Sequence, residues 1–209
     1  MALLSAESMQ TEDGFLDALK KPRPDPGGGS AAAHEALMAL CLLEKVAVLE
    51  KNRIHPAGTE RGWWDGALEE LRRLEKDLKR LRAEDVEAYR TLASALKAEG
   101  RHESRDDAAE AALRVPLAIM EVAAAGLQTV AAVCRRCAIH LKPDVAVAAE
   151  FLESAVRAAY WIARANALLV KNPERRARLL DIVRHGRDAG ARKGRAIRRE
   201  LEKPSETRR

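Results

Sequence analysis

Between Trp63 and Ala98 apolar residues return at spacings of three or four, with one step of five after Leu81: Leu68, Leu71, Leu74, Leu78, Leu81, Val86, Tyr89, Leu92 and Leu96, with Glu and Lys/Arg between them. That spacing lines up one apolar stripe on an α-helix, whereas a strand would alternate its apolar positions. The helix it predicts is some 50 Å long at 1.5 Å per residue. Composition agrees with a helical chain. Aromatic residues make up only 3% of the sequence, and Ala, Leu and Val carry the apolar mass, where a sheet would be richer in β-branched and aromatic side chains. The fold class expected is all-α.

Similar patterns mark the other elements. Phe15, Leu16 and Leu19 predict a short amphipathic helix over 11–20, closed by KKPRPDP, whose prolines cannot continue it. A second helix is expected from Ser30, as N-cap, to Asn52, and NRIHPAGTERG follows as a loop ending in Gly62. The long leucine-rich helix ends at Gly100. Ser104 and Asp107 predict a cap for a helix reaching His140, kinked at Pro116, with Ala118–Val133 nearly free of charge and therefore buried. Asp144–Lys171 forms the next helix. Asn172, Pro173 and Glu174 supply a cap, a first-turn proline and a first-turn acid for a last helix to Lys203. About five long helices joined by short turns read as an up-and-down bundle, one domain over 1–209 with frayed ends at 1–10 and 204–209. Gly186, Gly190 and Gly194 leave a bare line on the last helix. This predicts a seam against a close helix, with a second subunit as a candidate partner.

Charge and cysteine content narrow the function classes. The net charge is +5, but residues 174–209 alone hold 13 Lys/Arg against 6 Asp/Glu, so the remainder is slightly acidic. The basic tail is interleaved with acids and holds no aromatic residue to stack on bases, so nucleic acid is not the expected partner. The sequence contains no uninterrupted apolar run of about 20 residues and no secretory start, which predicts no membrane partner and a cytoplasmic location. Cys41, Cys134 and Cys137 are expected as free thiols. Cys134, Cys137 and His140 form C-x2-C-x2-H, with Cys41 or His34 as possible completing ligands. On a straight helix the first and last of the three diverge by about 120°, so no metal site is expected.

The bareness of PDPGGGSAAA at 24–33 asks for an explanation, since each glycine loses backbone entropy on ordering. Gly27, Gly28, Gly29 and Ser30 before a helix present N–H groups and a positive pole suited to an anion. Equally, glycines let another helix cross closely.

FLDAL at 15–19, PDPGGGSAAA at 24–33, AEDVEAYRTLASA at 83–95, VPLAIMEVAAAGLQ at 115–128 and DVAVAA at 144–149 together resemble the cyclodeaminase domain of formiminotransferase-cyclodeaminase and the stand-alone methenyltetrahydrofolate cyclohydrolases related to it. The resemblance runs from Phe15 to about Leu201. It implies a helical homodimer built on long helices, a reduced folate as small-molecule substrate, and no cofactor or metal. Departures also stand out: HEALMALCLLEKVAVLEKNRIHP replaces the family's Thr-x-Gly-Lys-Lys-Tyr stretch, Pro143 takes a serine's place before Asp144, and Ile162 stands for the first of two asparagines.

Methenyl hydrolysis and formimino cyclodeamination both require a placed acid/base group. Asp144, at a helix start, is the catalytic candidate, its alternative role being to favour the helix dipole. Gly27, Gly28, Gly29 and Ser30 are candidates for the folate's glutamate carboxylates. Asp85 is a second carboxylate candidate for the substrate site, and Asn166 a candidate for the pterin edge. The expected function is folate one-carbon chemistry, cyclohydrolase or cyclodeaminase. The alternative is the same scaffold with lost or changed chemistry, acting as a binding or assembly module.

Overall fold

The computed structural model describes the backbone of residues 12–53, 59–97 and 102–203. It contains α1 (Glu12–Leu19), α2 (Gly28–Arg53), α3 (Thr59–Lys97), α4 (His102–Cys134), a 3-10 turn (Ile139–Leu141), α5 (Lys142–Leu169) and α6 (Pro173–Leu201). Among the described residues there is no strand, and the all-α bundle of five long helices stands as the sequence predicts. The expected fraying of 1–10 and 204–209, the stop at Gly100 and the cap from the Ser104 side chain lie outside what is described.

α2 and α5 run through the middle. α5 packs against α2, α4 and α6, and α4 reaches α3, α5, α6 and α2. Alanine permits this crowding: Ala33, Ala36 and Ala39 of α2 and Ala155, Ala159 and Ala163 of α5 are fully buried, and such short side chains bring helix axes close. α3 lays Leu68, Leu71, Leu74, Leu78, Leu81 and Leu92 into the same core. Its stripe stops short of the expected length, for Tyr89 and Leu96 are exposed. α4 is long and apolar enough to cross a membrane by length and composition. Here Ile119, Ala123, Leu127, Val130 and Val133 are buried against the neighbouring helices, so its apolarity serves the protein core.

Two expectations need correction, and a third, the glycine seam, holds with a different partner. α2 begins at Gly28, placing Ser30 inside the first turn as a buried residue and not as its cap. α4 ends at Cys134 and does not reach His140: Arg136 and Cys137 both turn their N–H groups to the Val133 carbonyl, while the buried Glu50 carboxylate of α2 accepts the Ala138 N–H at 2.7 Å. Pro116 lies inside α4 without ending it. The glycine seam of α6 is occupied by this chain itself. A Cβ on Gly190 would stand 2.7 Å from Val156 Cγ1 of α5, one on Gly194 would collide with the Glu153 carboxylate, and one on Gly186 would stand 2.9 Å from Met120 Cε of α4.

Buried carboxylates fasten the junctions. Glu153 bonds Arg157 on its own helix and Arg198 of α6. Asp106 of α4 accepts the N–H groups of Lys171 and Asn172 at 2.6 and 2.9 Å, and Asn172 in turn caps α6 through the Arg175 N–H at 2.9 Å. Removing a partner from buried donors costs about 1 to 3 kcal/mol. Asp106→Ala is therefore expected to lower stability by about 2 kcal/mol, with Asp106→Asn losing less, as measured by urea unfolding. Equal stability of Asp106→Ala and wild type would mean that this turn holds itself.

Candidate functional site

The site is built where the first turn of α2 meets the middle of α3. A helix start leaves its first N–H groups without intrahelical acceptors, and here Asp85 reaches across from α3 to serve them. Asp85 Oδ2 accepts from the Ser30 N–H at 2.8 Å and from the Ser30 hydroxyl at 2.9 Å. That hydroxyl also stands 3.1 Å from the Arg82 carbonyl oxygen. The favoured place for an anion at this helix start is thus taken by a carboxylate of the same chain.

The glycines follow from this contact. A Cβ on Gly29 would overlap the Asp85 carboxylate, and one on Gly28 would lie 2.9 Å from Ile162 Cδ1 of α5. The bare backbone lets α3 and α5 close in on the start of α2. The close-approach reading is the one the contacts support, and the anion at this helix start is Asp85 of the chain itself, where a folate carboxylate was expected.

Beside this contact lies a cavity of about 240 Å³, lined by Asp25, Gly27, Gly28, Gly29, Asp85, Tyr89 and Asn166, with Val86, Leu92, Ala112 and Ile162 among its apolar walls. It is smaller than the roughly 300 Å³ at which drug-sized pockets begin, so it has room for a ring system and not for a whole folate. Asp25 is held by Arg90 Nε at 2.6 Å. Asn166 Nδ2 donates to the Ala112 carbonyl at 3.1 Å, which leaves Asn166 Oδ1 as the amide's uncommitted end. Asp85 Oδ1 has no hydrogen-bond partner among the described residues. No Lys, Arg or His lines the cavity. Burial pushes the Asp85 carboxyl above its ordinary range, and the two hydrogen bonds from Ser30 pull it part of the way back.

The other candidates lie elsewhere. Asp144 is in the first turn of α5, 22 residues before Asn166 on the same helix, a separation of roughly 33 Å. Its carboxylate pairs with Lys45 at 2.7 Å. Within this chain the glycine run and Asp144 do not share a cavity. Cys134 and Cys137 are buried thiols, burial raising Cys137 to about 11, and His140 is exposed. Among the described residues no three His, Cys, Asp or Glu side chains form a metal-holding group. Sequence reasoning missed the Asp25–Arg90 pair, Ile162 under Gly28, and a cluster in which His34 stacks on Phe15 at 4.6 Å while Arg82 donates to His34 Nδ1 at 3.0 Å. Only the placement of Asp25 between the two prolines that lead into the glycines offered a signal.

The profile of the formiminotransferase-cyclodeaminase family matches residues 11–185, which takes in the glycine run, Asp85 and Asn166. The chain belongs to this family. The crystal structure of formiminotetrahydrofolate cyclodeaminase from Thermotoga maritima shares its fold, with a TM-score of 0.83, 19% identity, and coverage of 92% of this chain and 96% of that one. No curated protein matches the chain in sequence. The cavity described above therefore belongs to a cyclodeaminase-family scaffold.

The burial of Asp85 has a thermodynamic signature. A carboxyl raised in the folded state holds its proton more readily than the unfolded chain, whose carboxyl titrates near its ordinary value of 3.8. Its contribution to stability is then present at low pH and is lost as pH rises from about 4 through the raised folded value. Urea unfolding of wild type and Asp85→Asn from pH 4 to 8 is expected to show wild type losing stability relative to the variant over this range. Parallel curves would count against a buried, ionising Asp85.

Proposed function

We propose that this chain is a formiminotetrahydrofolate cyclodeaminase that binds the pteridine end of its substrate in the cavity at the start of α2. The observation that carries the reading is the character of the cavity's uncommitted polar groups: Asp85 Oδ1 and Asn166 Oδ1 are both acceptors. A formimidoyl folate brings N–H donors to its reacting group, from the formimidoyl nitrogen and from the ring-closing N10. The bridge of a methenyl folate brings only a C–H. An acceptor-lined cavity therefore supports cyclodeamination over methenyl hydrolysis.

With the formimidoyl group entering as its protonated amidinium, cyclodeamination forms a bond from N10 to the formimidoyl carbon and breaks the bond from that carbon to the terminal =NH2+ nitrogen, which leaves as ammonia while the positive charge passes to the methenyl bridge. The proton lost by N10 must reach the departing nitrogen. Asp85 is the group for this transfer: it takes the proton on Oδ1 and returns it to the leaving nitrogen, ending as it began. Ser30, bonded to Oδ2, holds the carboxylate in place. A carboxyl whose affinity for a proton is raised by burial works closer to neutral pH than an exposed one, and such transfer contributes about 10² to 10⁴ in rate. Asn166, tethered by Nδ2 to Ala112, offers Oδ1 to the formimidoyl N–H. In this reading Asp144 remains the half-buried partner of an exposed Lys45, and the glutamate tail stays outside the cavity, where Asp85 does not compete with it.

Ammonia release from formiminotetrahydrofolate tests the assignment. Asp85→Asn is expected to lose about 10² to 10⁴ in kcat, while Asp144→Asn stays within about twofold of wild type, as for an exposed ion pair. An active Asp85→Asn removes the mechanism. A wild-type rate no greater than buffer, with no thermal shift on adding folates, returns the chain to the binding or assembly module.

The homodimer implied by the family resemblance also has a supporting surface. α2 exposes Met38, Val48 and Leu49, and α5 exposes Val147, Leu168 and Trp161, the last at 61%, with the Lys45–Asp144 pair bridging the two helices. We propose that the dimer closes across this face. Sedimentation of wild type is expected to give a dimer and Trp161→Glu a monomer; a monomeric wild type or a dimeric variant would move the interface elsewhere or abolish it.

A further inference from the structure

A second cavity lies far from Asp85, between α4 and the C-terminal half of α6. It encloses about 300 Å³ between Leu127, Gln128, Ala131, Cys134 and Arg135 of α4 and its end, and Lys193, Ala196, Ile197 and Glu200 of α6. Its origin is steric. Gly190 and Gly194 seat α6 against Val156 and Glu153 of α5, while the side chains on the two sides of the gap include Ala131 of α4 and Ala196 of α6, too short to fill it. Unfilled interior volume is destabilising, because the lining atoms lose packing partners.

The charges around this cavity are unbalanced. Lys193 Nζ donates to the Ala124 carbonyl at 3.1 Å and has no carboxylate within ion-pair distance among the described residues. An ammonium carries three donors, so two remain. Arg135, at the end of α4, makes neither a hydrogen bond nor a close ion pair among the described residues. Lys142 stands near enough to act electrostatically on both Cys134 and Glu200. The one acid of the lining, Glu200, is already paired with Lys203. Lys193, with no carboxylate partner among the described residues, and Arg135, which reaches Glu200 only at longer range, thus border walls made by Leu127, Ala131, Ala196 and Ile197. A half-buried charge needs a partner to offset its lost hydration, and the burial of Lys193 lowers its proton affinity accordingly.

We propose that this cavity is a second ligand site, distinct from the folate cavity, which takes a small amphiphilic monoanion: a carboxylate between Lys193 and Arg135, with a short acyl body against Leu127 and Ile197. The site sits on α6 and the end of α4, so its occupant clamps these helices together. Acetate supplies the head without the body, and octanol the body without the head. Neither meets both halves of the lining.

Isothermal titration and thermal unfolding of the full chain with octanoate test this site. Saturable binding with a rise in Tm is expected for octanoate, and neither for acetate nor for octanol. Lys193→Gln is expected to weaken octanoate about ten- to hundredfold, the effect of losing a charge-assisted bond, while Lys193→Arg retains it. Ala131→Leu, which fills the cavity and leaves Lys193 in place, should abolish binding and raise the Tm of the unliganded chain. Bound octanoate should also slow alkylation of Cys134 by a small maleimide in unfolding-free conditions. Octanol binding as well as octanoate, unchanged affinity in Lys193→Gln, or no saturation by any of the three would overturn the site. Activity on folates has no bearing on these outcomes.

Discussion

The architecture depends on how closely its helices are allowed to approach one another. Short side chains set this distance. Ala33, Ala36 and Ala39 of α2 and Ala155, Ala159 and Ala163 of α5 are fully buried, and glycines on α2 and α6 accept atoms of neighbouring helices where a Cβ would collide. At such separations a side chain of one helix reaches the backbone of the next. Asp85 does so to Ser30, Asp106 to Lys171 and Asn172, and Glu50 to Ala138. Each of these carboxylates satisfies N–H groups at a point where a helix starts or stops, places where backbone donors would otherwise be stranded in the interior.

In the proposed function, the candidate site is a junction put to chemical use. The carboxylate that completes the start of α2 uses one oxygen for that task and keeps the other uncommitted beside a cavity. Its burial raises its affinity for a proton, the property a proton-transfer group requires near neutral pH. The contrast with Asp144 is instructive. That residue also sits in a helix first turn, but its partner is an exposed lysine, an arrangement that solvent screens and that gives little leverage over reactivity.

The two cavities differ as their linings do. One holds acceptors and no cation; the other holds two cations and one carboxylate, with Lys193 bonded only to a backbone carbonyl. Their positions at separate helix junctions reflect the same geometry, because helices that diverge from a tight crossing leave space beyond it. A bundle built from alanine crossings can therefore be dense at its centre and open near the ends of its helices.

Much of the fold was legible in the chain. Leucines at spacings of three and four specified α3, Asn172 and Pro173 specified the start of α6, and the small-residue composition specified close packing, since all of these act within a helical turn or two. What a carboxylate becomes was not legible. Asp85 lies among Glu84 and Glu87 on a charged helix and has the local pattern of a solvated face, while Asp144 has the local pattern of a functional helix start. Their environments come from α2 and α5 for the one and from Lys45 for the other, residues far away in sequence. Desolvation and hydrogen bonding across helices decide proton affinity and reach, and only the packed tertiary structure sets them.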